Sequence, residues 1–174
     1  MAETTNVMPH LHMPLQSGSD KVLADMRRSY RREKYLGIIE RVRKQIPDAS
    51  ITTDIIVGFP GETDDIFEEL KQWVRDQRFD RLGCFTYSHE ENTTAFVLED
   101  NIPDEIKQKR VEEIMEIQQQ ISWEKNQEKV GKVFKCIFDR KEGDYFVGRT
   151  EYDSPDVDNT VLVQAKDVYI SIGD

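Results

Sequence analysis

Two periods alternate along the chain. Short apolar runs of strand length fall at 10–15, 53–57 and 81–87. Between them, apolar residues return every three or four positions, the spacing that gathers them on one side of a helix. The first such stretch runs to Met26 from a cap at Ser19 or Asp20, with Val22, Leu23 and Met26 as its apolar side. The second covers about 32–45 through Tyr35, Ile38, Ile39 and Val42 and ends at Pro47 and Asp48. The third covers about 64–77 through Ile66, Phe67, Leu70, Trp73 and Val74. A long fourth helix is expected from Pro103, with Asp104 and Glu105 in its first turn, to about Val130. Its apolar positions Ile106, Val111, Ile114, Met115, Ile117, Ile121 and Trp123 fit one broad face. Residues 88–100 carry neither period and read as a loop.

The run Ile55-Ile56-Val57 is β-branched throughout, which predicts a strand covered on both faces. It leads into Gly58-Phe59-Pro60-Gly61, where the glycines allow positive φ or a close backbone approach. Glu62 and Thr63 then open the next helix. A strand-to-helix turn of this kind is a common seat for a small-molecule cofactor. Strand and helix alternate throughout this part, which implies a parallel sheet with right-handed crossovers. After Gly131 the pattern changes to short strands at 133–138, 145–150, 160–163 and 168–172, with 141–144 as a hairpin turn. The expected organisation is an α/β part over residues 1–130 and a small all-β module over 131–174.

Composition narrows the class. The 174 residues are 33% charged and 37% hydrophobic, and no apolar run approaches the ~20 residues of a membrane span. No membrane partner is expected. Residues 1–8 lack the pattern of an export signal. With two cysteines, Cys84 and Cys136, this points to a reducing cytoplasm. The net charge of −10 is uneven: residues 51–130 hold 9 Lys+Arg against 19 Asp+Glu, and residues 1–50 hold 9 against 6. The C-terminal part is thus suited to a basic partner more than to a phosphate backbone.

Several stretches carry a resemblance. His10-Leu-His-Met-Pro-Leu-Gln-Ser-Gly-Ser19, Met26-Arg27-Arg28, Thr53 to Thr63, Phe79-Asp80-Arg81 and Tyr87-Ser88 resemble the radical S-adenosylmethionine methylthiotransferases. The β module resembles a TRAM domain, and together these cover nearly the whole chain. Residues 10–63 are more similar to the tRNA-modifying branch. From about Phe67 onward the chain is more similar to the branch that methylthiolates an aspartate of a small-subunit ribosomal protein. A natural sequence and a fusion of two parents both fit this change.

The resemblance implies a fold: the C-terminal half of a partial radical-SAM (β/α) barrel, with cofactor chemistry at the carboxyl ends of its strands. An OB-like TRAM barrel follows, with its last strand missing. It implies S-adenosylmethionine as cofactor. Gln16 and Ser17 would face it, Arg27 or Arg28 would pair with its methionine carboxylate, and Val57, Gly58 and Phe59 would lie against adenine and ribose. Tyr87, Ser88 and Glu90 are weaker candidates for the pocket mouth. His10 and His12 read as strand-edge residues, and Cys84 as a buried apolar one.

The family's radical chemistry needs a four-iron, four-sulfur cluster on a CxxxCxxC triad, which this sequence lacks. No residue here is therefore assigned a catalytic or metal-binding role, and the chain alone is expected to be inactive. The implied function is that of a fragment of a ribosomal-protein methylthiotransferase. The alternatives are a tRNA enzyme acting on isopentenyl-adenosine near the anticodon, and a non-catalytic binding or scaffold module. The acidic cluster Glu151, Asp153, Asp156 and Asp158 suits a basic ribosomal protein better than tRNA. Open sheet edges would favour a homo-oligomer.

Overall fold

Alternate residues of one central strand decide which side of the sheet is covered. The computed structural model describes residues 7–155, 157–166 and 169–173. Strand β2, Ser50–Val57, buries Ile51, Thr53, Ile55 and Val57 almost completely, whereas Asp54 and Ile56 between them stay half-exposed. Strand β1 is His10–His12 and β3 is Arg81–Thr86, and both pair with β2 in parallel, in the order β1-β2-β3. Helices α1 (Asp20–Asp25), α2 (Arg32–Gln45), α3 (Asp64–Gln77) and α4 (Asp104–Lys129) follow the expected boundaries closely. Their apolar residues, among them Leu23, Ile39, Phe67, Leu70, Trp73, Ile114 and Ile121, form one core with Ile51, Ile55, Val57 and Leu82. Ser50 and Thr52, on the same side as Asp54 and Ile56, are buried as well, so this second face is covered at its amino end and open only from Asp54 onward. The β-branched run reports strand propensity here rather than two-sided burial.

The strand expected over 10–15 stops at His12. Pro14 has no N–H for the ladder, and pairing resumes only as a single bridge between Gln16 and Ile55. Side chains close the gap. Thr53 Oγ1 accepts from Leu15 N at 3.0 Å and donates to Met13 O at 3.0 Å, and Tyr35 Oη donates to Met13 O at 2.7 Å. Ser19 caps α1 through Val22 N, and Thr63 caps α3 through Ile66 N.

The broad apolar face expected of α4 forms only in part: Ile114 and Ile121 are buried and Val111 and Ile117 pack against the core. Ile106, Met115 and Trp123 are 40%, 40% and 59% exposed, while Lys107, Arg110 and Gln118 are buried beside Ile114 and Ile121. These five share a three-to-four spacing, so the buried stripe is real but mostly polar. Each polar member has a partner: Lys107 Nζ lies 2.6 Å from Asp100, Arg110 meets Glu62 and Asp64, and Gln118 Nε2 donates to Phe79 O at 3.0 Å.

Beyond α4, strands β4 (Cys136–Glu142), β5 (Tyr145–Thr150) and β6 (Val161–Gln164) form an antiparallel sheet in that order, with a register break between Phe138 and Arg140. The first of these starts three residues later than expected and takes in Lys141 and Glu142, so the hairpin turn is confined to Gly143-Asp144. Of the strand expected over 168–172, Val168 lies outside the described residues, and 169–172 carry no strand. The loop after β5 touches the amino ends of the parallel strands. Arg81 Nη2 and Nε each stand 3.5 Å from a carboxylate oxygen, of Asp153 and Asp158 respectively, and His10 Nδ1 lies 3.1 Å from Tyr152 O.

Candidate functional site

The carboxyl ends of β2 and β3 enclose a concavity of about 380 Å³ on the helix-free face, lined by Gln16, Asp54, Ile56, Phe85, Thr86, Tyr87 and Ser88. Period-two alternation puts these residues there. Asp54 and Ile56 are the positions of β2 that turn away from the core, and Gly83 and Phe85 are their partners in register on β3. A Cβ at Gly83 would come within 2.6 Å of Asp54 Oδ1, so the glycine makes room for that carboxylate. His12 Nε2 lies 3.2 Å from Asp54 Oδ2, and His12 Nδ1 lies 2.9 Å from Thr52 Oγ1. Gln16 sits at φ 77°, a left-handed backbone at the rim of the concavity. The arrangement offers apolar and aromatic surface from Ile56, Phe85 and Tyr87, beside an amide, a carboxylate and a hydroxyl for orientation.

The glycine turn stands directly behind. Gly58 and Gly61 take φ 75° and 88°, as the sequence implies. Its polar groups are already engaged: Gly58 N donates to Glu62 Oε1 at 2.9 Å, Tyr87 N donates to Val57 O at 2.8 Å, and Glu62 N donates to Phe59 O at 2.9 Å. Val57 and Phe59 are buried, and the Phe59 ring meets the Tyr87 ring edge-on at 5.0 Å. Through Tyr87 the turn shapes the wall of the concavity.

The candidate residues therefore divide. Gln16, Tyr87 and Ser88 come together in the concavity, with Glu90 attached to Ser88 by a hydrogen bond of 2.5 Å. Ser17 is buried, and its Oγ accepts from Ser19 N, a turn-capping role. Arg27 and Arg28 are exposed after α1, do not line the concavity and make no ion pair among the described residues. Asp54, Ile56 and Phe85 were missed, although their alternation was readable once the strand was placed. Glu62, Lys107 and Arg110 were missed because charged residues are ordinarily assigned to solvent.

Glu62 is the most enclosed ionisable group of this region. Burial pushes its carboxyl above the ordinary range, while the Gly58 N–H and the Arg110 guanidinium pull it back. Burial also pushes the Cys84 thiol up to about 12, with the Glu62 carboxylate adding to it. Cys136 is raised too, by burial and then Asp153. The thiolate is the reactive form. Cys84 is therefore expected to resist iodoacetamide at pH 8 in the folded chain and to react fully in urea. Equal labelling of Cys84 in both states, read by mass spectrometry, would contradict its burial.

Among the described residues, no group of three His, Cys, Asp or Glu side chains is placed to hold a metal ion. The two cysteines lie in different sheets, Cys84 in β3 and Cys136 in β4. The residues present do not fit an iron–sulfur cluster.

The acidic cluster of the β module is largely spent inside the chain. Asp153 and Asp158 side chains are only 5% and 6% exposed, and both face Arg81. Glu151 is half-exposed, and Asp156 lies outside the described residues.

A parallel strand–helix sheet with a carboxyl-end concavity, joined to a small antiparallel sheet, defines the class, and comparison with known proteins agrees. The radical SAM superfamily model matches residues 1–74, and the TRAM domain model matches residues 130–174. Proteins named ribosomal protein uS12 methylthiotransferase RimO are similar over the whole chain, residues 10–63 included. That of Christiangramia forsetii is 56% identical over 174 residues, 100% of this chain and 39% of that protein. That of Flavobacterium johnsoniae is 52% identical, with 100% and 40% covered. Coproporphyrinogen III oxidase (HemN) from Escherichia coli, a radical SAM enzyme, aligns with a TM-score of 0.44 at 23% identity, over 68% of this chain and 26% of that one. The chain is thus similar throughout to radical S-adenosylmethionine methylthiotransferases, and it spans about two fifths of the length of the curated relatives it matches.

Proposed function

We propose that this chain is part of an enzyme that adds a methylthio group to an aspartate of ribosomal protein uS12, and that the strand-end concavity is its share of the S-adenosylmethionine seat. The observation that carries this reading is the 56% identity, across all 174 residues, to a protein named for that reaction. The concavity adds support, since it lies at the carboxyl ends of parallel strands, where cofactors of such sheets bind.

In this reading Ile56, Phe85 and Tyr87 pack against the adenine and ribose and exclude water. Gln16, Asp54 and Ser88 orient the polar groups of the ligand. Arg27 or Arg28, exposed beyond the lining of the concavity, is the candidate partner of the methionine carboxylate. When bound, S-adenosylmethionine supplies the methyl group and, on reductive cleavage, the radical. The electron for that cleavage would come from a reduced four-iron, four-sulfur cluster, whose cysteine ligands this chain does not carry, so the chain alone is inactive. The boundary between the cofactor-bearing part and the TRAM domain falls at Gly131, after α4. The free cysteines fit a reducing cytoplasm, and among the described residues no helix is long and apolar enough to cross a membrane.

Calorimetric titration with S-adenosylmethionine tests the seat. A dissociation constant on the order of 10–100 μM is expected. Absence of heat at millimolar ligand would remove the seat from this chain. A scaffold role has one observation in its favour, the unpaired edges of β1 and β3. Light scattering that shows a stable dimer would support that role.

A further inference from the structure

We propose that Arg110 and Glu62 are positioning residues for the Gly58–Phe59 turn, so that α4 belongs to the cofactor seat as well as to the core. The proposal rests on the reading of the concavity given above, and it makes a claim about this chain that can be tested apart from it.

The turn is held from behind. Gly58 leaves β2 in a left-handed conformation, and its N–H is fixed by Glu62 Oε1 at 2.9 Å. The same oxygen accepts from Arg110 Nη1 at 2.8 Å. Arg110 Nη1 also donates to Glu62 O at 3.1 Å, and Nη2 to Asp64 Oδ1 at 2.7 Å. One guanidinium fork therefore grips the side chain and carbonyl at the exit of the turn and the first carboxylate of α3. This fits the planar, rigid donor set of arginine.

The Arg110 and Glu62 side chains are 6% and 0% exposed. An ion pair so enclosed is a poor way to gain stability, because desolvation offsets its attraction and an apolar pair would serve as well. What it adds is direction. Glu62 Oε2 has no hydrogen-bond partner among the described residues, so the carboxylate is oriented through one oxygen, and that oxygen is shared between Arg110 and Gly58.

Lys107, one turn earlier on α4, closes the other side. Its Nζ lies 5.4 Å from the centre of the Tyr87 ring. Phe59 also meets that ring, and Tyr87 lines the concavity. A continuous path thus runs from Arg110 through Glu62 and Gly58 to the wall that faces the ligand. The far end of the same helix is tied to the opposite end of the sheet through Lys125 and Asp80 at 2.9 Å. A shift of α4 would reach the turn.

The test combines two readouts on the intact chain with Arg110→Met, Arg110→Lys and Glu62→Gln, at a temperature where circular dichroism shows each variant folded. The first is the S-adenosylmethionine dissociation constant by calorimetry. The second is amide exchange at Gly58 by NMR. Arg110→Met is expected to weaken binding about tenfold or more and to speed Gly58 exchange by about the same factor. Arg110→Lys keeps the charge and loses the fork, so it should fall between, at about threefold. Glu62→Gln keeps an oxygen acceptor for Gly58 and should stay closer to wild type than Arg110→Met. A merely structural role would lower the melting temperature and leave both readouts unchanged in folded variants, which overturns the proposal. If wild type shows no binding, the seat reading fails, and Gly58 exchange still decides the positioning role. If Arg110→Met does not fold, Arg110→Lys decides: wild-type exchange at Gly58 would overturn the proposal.

Discussion

Gly58→Ala is expected to destabilise the chain by about 2–4 kcal/mol, more than any other single-methyl change in the sheet. Two independent causes add. Gly58 holds φ 75°, where a residue with a Cβ costs roughly 1–2 kcal/mol. The new methyl group would also stand 2.3 Å from Lys107 Cγ and 3.1 Å from its Cβ. Those atoms are near the backbone of α4 and cannot swing aside as a side-chain tip would. Lys107 is buried, with Asp100 on its Nζ, so the helix itself has to give. Urea unfolding followed by tryptophan fluorescence should show the midpoint fall by about 1 M with an unchanged slope. A fall below about 0.3 M would mean that α4 is not packed on the turn as found. Lys107→Ala in the same background removes the obstructing Cγ and should recover part of the loss, leaving the backbone term.

How legible this fold was depends on which signal each element used. The bounds of α2 and α3 were readable because their buried residues, such as Tyr35, Ile39, Phe67, Leu70, Trp73 and Val74, are apolar at helical spacing. The bounds of α4 were equally readable, but its inner face was not. There the period is carried by Lys107, Arg110, Ile114, Gln118 and Ile121, and a hydrophobicity pattern gives three of the five to solvent. Their partners lie far off in sequence. Arg110 reaches Glu62 across 48 positions and Gln118 reaches Phe79 across 39, so no local pattern records them.

The same division holds for the site. The turn at 58–61 was legible because only glycines suit its backbone. The lining of the concavity followed from strand register, which fixes Asp54 opposite Gly83 and Ile56 opposite Phe85. Register is a tertiary fact, set by the pairing of β2 with β3. A motif read alone therefore pointed at Val57 and Phe59, whose side chains turn inward, and passed over Ile56 just before them.

The second large effect is expected at the junction between the two sheets. Arg81→Met leaves Asp153 and Asp158 enclosed without their shared cation. Removing one partner of a buried pair costs about 3–5 kcal/mol. Arg81 is 21% exposed and stands 3.5 Å from each carboxylate, so about 2–3 kcal/mol is expected here. Among the described residues, what remains for the carboxylates is Thr150 Oγ1 on Asp153 at 2.5 Å, Ser154 N on Asp158 at 2.7 Å, and His10 at 4.0 Å from Asp158. The loss should be local as well as global. The loop after β5 should become the first site of proteolytic cleavage, because it is what Arg81 holds against the amino ends of the parallel strands. Adding Asp153→Asn and Asp158→Asn to Arg81→Met removes the uncompensated charge and should restore at least half of the lost stability, a coupling that a double-mutant cycle measures directly. A triple variant no more stable than Arg81→Met would show that the carboxylates do not depend on Arg81. The result bears on partner binding too. A basic protein drawn to these two aspartates would have to displace Arg81 first, so their attraction for it should rise in the Arg81→Met chain and be weak in the native one.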